Sequence, residues 1–110
     1  MEIPKRIKRL LREQAEIAHD RELGAALSRL ASDFRRWERG EITSFQLSDL
    51  IHAFHQGISR DLFVKYDRPT YRAGVAHALA TGIIDKAQVA PELLEHLAGV
   101  IDFYESEDAK

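Results

Sequence analysis

Trp37-Glu38-Arg39-Gly40-Glu41-Ile42-Thr43-Ser44-Phe45-Gln46-Leu47 reads as a helix stop followed at once by a helix start. Gly40 can take the left-handed conformation that closes a helix. Thr43 is a good N-cap, and Gln46 stands three residues on, the spacing of a capping box. Ile42, just before the cap, and Leu47, at the fourth helical position, are placed for a hydrophobic staple. The stretch predicts a sharp joint between two helices, and the rest of the chain is organised about it.

Upstream of the joint, Pro4 is acceptable as a first helical residue, and no convincing stop follows it before Gly40. Ile3, Ile7, Leu10 and Ile17 form one apolar stripe, and Leu23, Leu27, Leu30, Phe34 and Trp37 form a second. The two do not share a register, which implies a stutter or a rotation of the buried face between them. Gly24 sits at the changeover and costs about 1 kcal/mol relative to alanine inside a helix. Two descriptions fit: one long helix, or two collinear pieces bent near residues 19–24. A straight helix of about 35 residues would measure about 52 Å, whereas a compact domain of this chain length is only about 35 Å across. Either the helix bends, or one end projects with its apolar stripe uncovered. A homodimer is the expectation that follows from the second case.

Downstream, residues 44–56 form the second helix, with Leu47, Leu50, Ile51 and Phe54 inward and Gly57 as its stop. Ser59 is placed to cap a short third helix carrying Leu62, Phe63 and Tyr66, with Asp61 in its first turn, where the helix dipole favours an acid. Pro69 opens a fourth, whose inner residues are Tyr71, Val75, Ala78 and Leu79. Ala73, Gly74, Ala76, Ala78 and Ala80 leave that helix thin enough for close packing. Residues 82–89 repeat the logic of the first joint: Gly82 stops, Asp85 caps, Gln88 closes a capping box and Ile84 staples to Val89. Pro91 starts the last helix, striped by Leu93, Leu97, Val100 and Tyr104 and flanked by Leu94 and Ile101. No segment alternates in the manner of a strand. The expected fold is all-α: one domain over residues 1–110, a compact bundle of about five helices, with joints at 40–46 and 82–88.

Composition bounds the chemistry. The 110 residues are 45% hydrophobic and 31% charged, ordinary for a globular domain, and they include no cysteine, which excludes disulfides and thiolate metal sites. No apolar run reaches the length of a membrane span, and no apolar segment follows the basic N-terminus as a secretory signal requires. The expected location is the cytoplasm. Charge is uneven: residues 1–39 hold ten Lys/Arg against seven Asp/Glu, and residues 40–110 hold six against eleven. The start is basic and the end, with Glu105, Glu107 and Asp108, is acidic.

Three groups of residues could carry function. Lys5, Lys8, Arg9 and Arg12 line one helix face with Arg6 beside them, a stripe that could bind phosphates through counterion release, lie on an anionic membrane surface, although its apolar face lacks an aromatic anchor, bind an acidic protein, or simply pair with Glu13, Glu16 or the acidic end. A net charge of −2 is low for a dedicated nucleic-acid domain. Asp49, His52 and His55 recur every three residues on the second helix, and a carboxylate with two imidazoles is a metal or acid–base set. Over six residues the helix turns 600°, so Asp49 and His55 diverge and one ion could not collect all three. Gln56 and Arg60, with Gly57 and Ser59 between them, could line an anion site at the start of the third helix. The spacing of Gly40 and Ile42, and of Gly82 and Ile84, matches the centre of an EF-hand loop. Its first position would fall on Arg35 or His77 and its twelfth on Gln46 or Gln88, where calcium needs carboxylates. Calcium is excluded. No nucleophile–base, phosphate-loop or zinc-protease motif is present, and no catalytic residue, cofactor or metal is assigned. The expectation is a non-enzymatic protein-interaction or regulatory module. Nucleic-acid binding through the N-terminal helix is the alternative, with an enzyme built on His52 and His55 a more distant one.

Overall fold

The computed structural model describes residues 3–68 and 70–108, and among these every regular element is a helix. The fold is all-α, with α1 at Lys5–Glu38, α2 at Ser44–Phe54, α3 at Arg60–Tyr66, α4 at Tyr71–Ala80 and α5 at Pro91–Asp108. The expected helical start at Pro69 lies outside the described residues.

The first joint forms as its residues dictate. Gly40 has φ 77°, a value that costs glycine little and other residues more. Its N–H donates to Trp37 O at 3.0 Å and that of Glu41 to Arg36 O at 2.9 Å, the paired bonds of a Schellman ending. Gln46 N donates to Thr43 Oγ1 at 3.1 Å and Thr43 N to Gln46 Oε1 at 2.8 Å, which completes the capping box. Leu47 is buried and Ile42 half-buried. The Trp37 indole N–H reaches back to Ser44 Oγ at 3.0 Å and ties the two helices at the turn.

α1 runs unbroken for 34 residues, through Gly24. That many residues measure about 51 Å in a straight helix, and the molecule is 54 × 29 × 22 Å with a radius of gyration of 17.1 Å, against about 13 Å for a compact chain of this length. One end therefore projects. The first half of α1 enters the core through Ile7, Leu11, Ala15 and Ala18, and Ile17, expected inward, is 40% exposed. α3, α4 and α5 close over that half with Leu62, Val75, Leu79, Leu93 and Leu97. Alanine at positions 15 and 18 lets the neighbouring helices approach α1 closely, and the bulkier Ile17 is left on the outer side.

Two expected boundaries are corrected. Gly57 does not stop the second helix: His55–Ser59 is a π-helical turn that joins α2 to α3 without a break, so residues 44–66 form one continuous helical rod. Ser59 sits in helical conformation and makes no side-chain cap. A π turn accommodates an extra residue within the helix, which rotates α3 relative to α2 and brings Leu62 and Tyr66 onto the core while Phe63 stays 59% exposed. At the second joint Gly82 has φ 81° and Asp85 caps Ala87 N at 2.9 Å. Gln88 does not close a box; its N–H bonds Asp85 O within a short 3-10 turn, Lys86–Gln88. Ile84 and Val89 are both in the core.

Candidate functional site

The projecting end is a two-helix arm, made of the second half of α1 and α2. α2 packs against α1 and the π turn, and Leu47 is its one buried residue. On one flank of the arm Ala26, Leu30, Asp33, Leu50, Ala53 and Phe54 frame an open groove of about 300 Å3. On the rest of the arm large apolar side chains stand in solvent: Leu27 is 46% exposed, Phe34 38%, Trp37 40%, Ile51 40% and Phe45 84%. Ile51 is one residue beyond Leu50 and so is turned about 100° from the groove flank, to the side of Leu27 and Phe34. The stripe Leu23, Leu27, Leu30, Phe34 and Trp37 is thus half covered by α2 and half open. A two-helix hairpin with one open apolar flank is an incomplete bundle.

The N-terminal basic residues divide. Arg6 is tied to Glu92 of α5, and Arg9 to Glu13 at 3.7 Å. The bond from Arg6 holds the Glu92 carboxyl below its ordinary range. Lys5, Lys8 and Arg12 are exposed and make no ion pair among the described residues. Arg12 borders a cleft of about 240 Å3 with His19, Tyr66, Asp67, Arg68 and Tyr71. The second-helix candidates divide as well. His55, Gln56 and Arg60 meet with Ser59 and Phe63 along the π turn, around a groove of about 420 Å3, and Asp49 and His52 are not part of its lining. Among the described residues no three His, Cys, Asp or Glu side chains are grouped to hold a metal.

Sequence reasoning missed a polar cluster that joins four helices. Glu22 of α1 accepts from Lys65 Nζ at 2.9 Å and from the Tyr66 hydroxyl. Lys65 Nζ also lies 3.0 Å from His77 Nδ1 of α4. An ammonium can only donate, so Nδ1 accepts and a neutral His77 carries its proton on Nε2. His77 meets Tyr104 of α5 edge-on at 5.2 Å, and Tyr66 stacks on His19 at 5.6 Å. Burial pushes the Tyr66 phenol up, and its bond to Glu22 and the charge of that carboxylate push it further. Its proton stays in place at neutral pH. Donors and acceptors in the cluster satisfy one another, so its chemistry is that of a tie between helices. Its members stand 43, 44 and 12 positions apart in pairs, and no local spacing could have announced it.

The cluster has a pH signature. Burial acts to raise the Glu22 pKa, but the bonds from Tyr66 and Lys65 and the charge of Lys65 outweigh it, and the net shift is downward. A carboxyl that titrates lower in the folded chain than its unfolded value of about 4.3 stabilises fully above that value. It loses the contribution as pH falls through the folded pKa. Glu22→Gln is therefore expected to lower stability near neutrality, with the gap to the parent closing in urea titrations as pH falls below the unfolded carboxyl value. Glu41 and Glu92 are also held low, but they are present in both proteins and cancel. A gap that is constant with pH would remove the charge from this account.

The chain matches no family model, no curated protein and no solved structure, and no helix among the described residues is long and apolar enough to cross a membrane.

Proposed function

We propose that this chain is a cytoplasmic, non-enzymatic protein-interaction module whose working surface is the two-helix arm. The observation that carries the reading is the open apolar flank, Leu27, Phe34 and Ile51, on a hairpin carried at one end of a molecule 54 Å long by an uninterrupted helix. Contiguous exposed apolar surface on a rigid element marks protein contact sites, and a half-built bundle is completed by helices from elsewhere. The core at the other end is fully formed without the arm, so the arm's length is not needed to hold the fold.

The test is a capture experiment from native extract with tagged parent chain and with the double variant Leu27→Glu, Phe34→Glu. Both sites are exposed, so helicity is expected to be retained while specific polypeptide capture falls at least tenfold. Equal capture by parent and variant would sink the reading. Nucleic acid in both eluates, lost at raised salt and in a Lys5, Lys8, Arg12→Glu variant, would replace it with the nucleic-acid reading. That alternative is favoured by the three basic side chains left without ion pairs.

A further inference from the structure

We infer that the partner of the arm is a second copy of this chain, seated on the outer flank of α1 in antiparallel orientation about a two-fold axis level with Arg29. The inference rests on the reading of the arm as an interaction surface and names its occupant. The flank is built from Gly24, Leu27, Ala31 and Phe34, at steps of three, four and three, which place them on one side of α1. All four are exposed, and a Cβ built on Gly24 would meet nothing. Small and large residues alternate along it, and the alternation is self-complementary in one direction only. With the axis level with Arg29, Leu27 faces Ala31 of the partner subunit and Phe34 faces Gly24 of the partner subunit. Each projection meets a recess, the condition for interdigitated packing. A parallel pair in register would set Phe34 on its own copy and leave a gap at each Gly24.

Charge distinguishes the two orientations. Asp20 and Arg35 make no ion pair among the described residues. In the antiparallel pair Asp20 is level with Glu38 of the partner subunit, and Arg35 of the partner subunit, one turn along the same helix, is the nearest cation to that acidic pair. The same contact is made twice, as two-fold symmetry requires. A parallel pair would set Arg35 against Arg35.

The surface is large enough for a dimer of modest strength. Leu27, Phe34 and Ile51 are each about two-fifths exposed, and with the exposed Gly24 and Ala31 they leave roughly 300 Å2 of apolar area per protomer. Doubled, and with the usual polar share of an interface, the total is about 1,100 Å2, just above the roughly 1,000 Å2 that separates specific interfaces from chance contacts. The four-helix product closes the flank that each hairpin leaves open.

The absence of native cysteine makes the test direct. Two single variants of the full chain, Leu27→Cys and Ala31→Cys, are mixed in equal amounts and oxidised gently. Disulfides need Cα atoms about 4.4–6.8 Å apart, so the antiparallel pair is expected to give the mixed product well above its random share, with both symmetric products depleted. Light scattering of the unmodified chain is expected to show twice the 12.6 kDa monomer mass, reverting to monomer in Leu27→Glu, Phe34→Glu. Symmetric disulfides in excess would overturn the orientation, and a monomer mass at all concentrations would overturn the second copy as occupant. In that last case, loss of extract capture by the same double variant would leave the interaction reading standing while this inference fell.

Discussion

Gly74→Ala is expected to destabilise the fold by about 2–3 kcal/mol, against the ordinary preference of helices for alanine. A Cβ at this position would lie 2.4 Å from the backbone oxygen of Lys65 and 3.2 Å from its carbonyl carbon. The obstructing atoms belong to the main chain at the end of α3, so no rotamer change can relieve them. α4 must instead move off α3, with overpacking costs of about 1–3 kcal/mol and at times more. Against this stands a helix-propensity gain of about 1 kcal/mol. The collision wins because Gly74 is buried directly against the main chain of α3. Gly99 supplies the control: it lies on the exposed side of α5 with nothing within 4 Å of a built Cβ. Gly99→Ala is expected to stabilise by up to about 1 kcal/mol. Urea unfolding of the two variants should move the midpoint in opposite directions, and a shift of the same sign in both would refute the close-approach account.

Leu97→Ala is expected to cost about 3–4 kcal/mol. Leu97 is wholly buried on α5, within the core cluster that α1, α3 and α4 complete. Truncation removes the transfer free energy of its side chain and leaves a cavity that a helix packed against α4 and α1 can only partly refill. For a chain of this length the midpoint of thermal unfolding should fall by about 15 °C. A loss of this size is a large part of the 5–15 kcal/mol typical of a domain. Leu27→Ala, by contrast, should change the stability of the isolated monomer by no more than about 0.5 kcal/mol, because that side chain is already half in water. If Leu97→Ala cost under 1 kcal/mol by thermal scans, the core would not lie where the packing of α5 places it.

The joint at 37–47 was legible residue by residue because every bond that makes it is local. Gly40, Thr43 and Gln46 meet partners within five positions, and turn chemistry follows from residue type. The same reading failed at Gly57, where a glycine in a polar stretch looks like a stop. Whether a helix ends there or passes through as a π turn depends on where Leu62 and Tyr66 must land on the core, and that is a matter of α1 and α4. Gln88 is a milder case of the same kind. The box that its spacing permits gives way to a 3-10 turn, with Val89 in the core.

The candidate site divides along the same line. The apolar stripe from Leu23 to Trp37 and the basic residues from Lys5 to Arg12 were visible as periodicities. Which of them remain free was not: Arg6 is taken by Glu92, across 86 positions of sequence, Leu23 packs against the main core, and Leu30 lies beside Leu50 and Phe54 of α2. The tie from Glu22 through Lys65 to His77 left no local signal at all.

By itself the sequence determined that this protein is helical and that it turns sharply at Gly40 and Gly82. These are consequences of short-range sterics, capping and the helical period, which act within a few residues. Only the tertiary structure decided that α1 stays straight through Gly24, that α2 and α3 share one rod, and that the far half of α1 keeps an open flank. Those outcomes depend on which apolar faces find cover, and cover is supplied by helices distant in the chain.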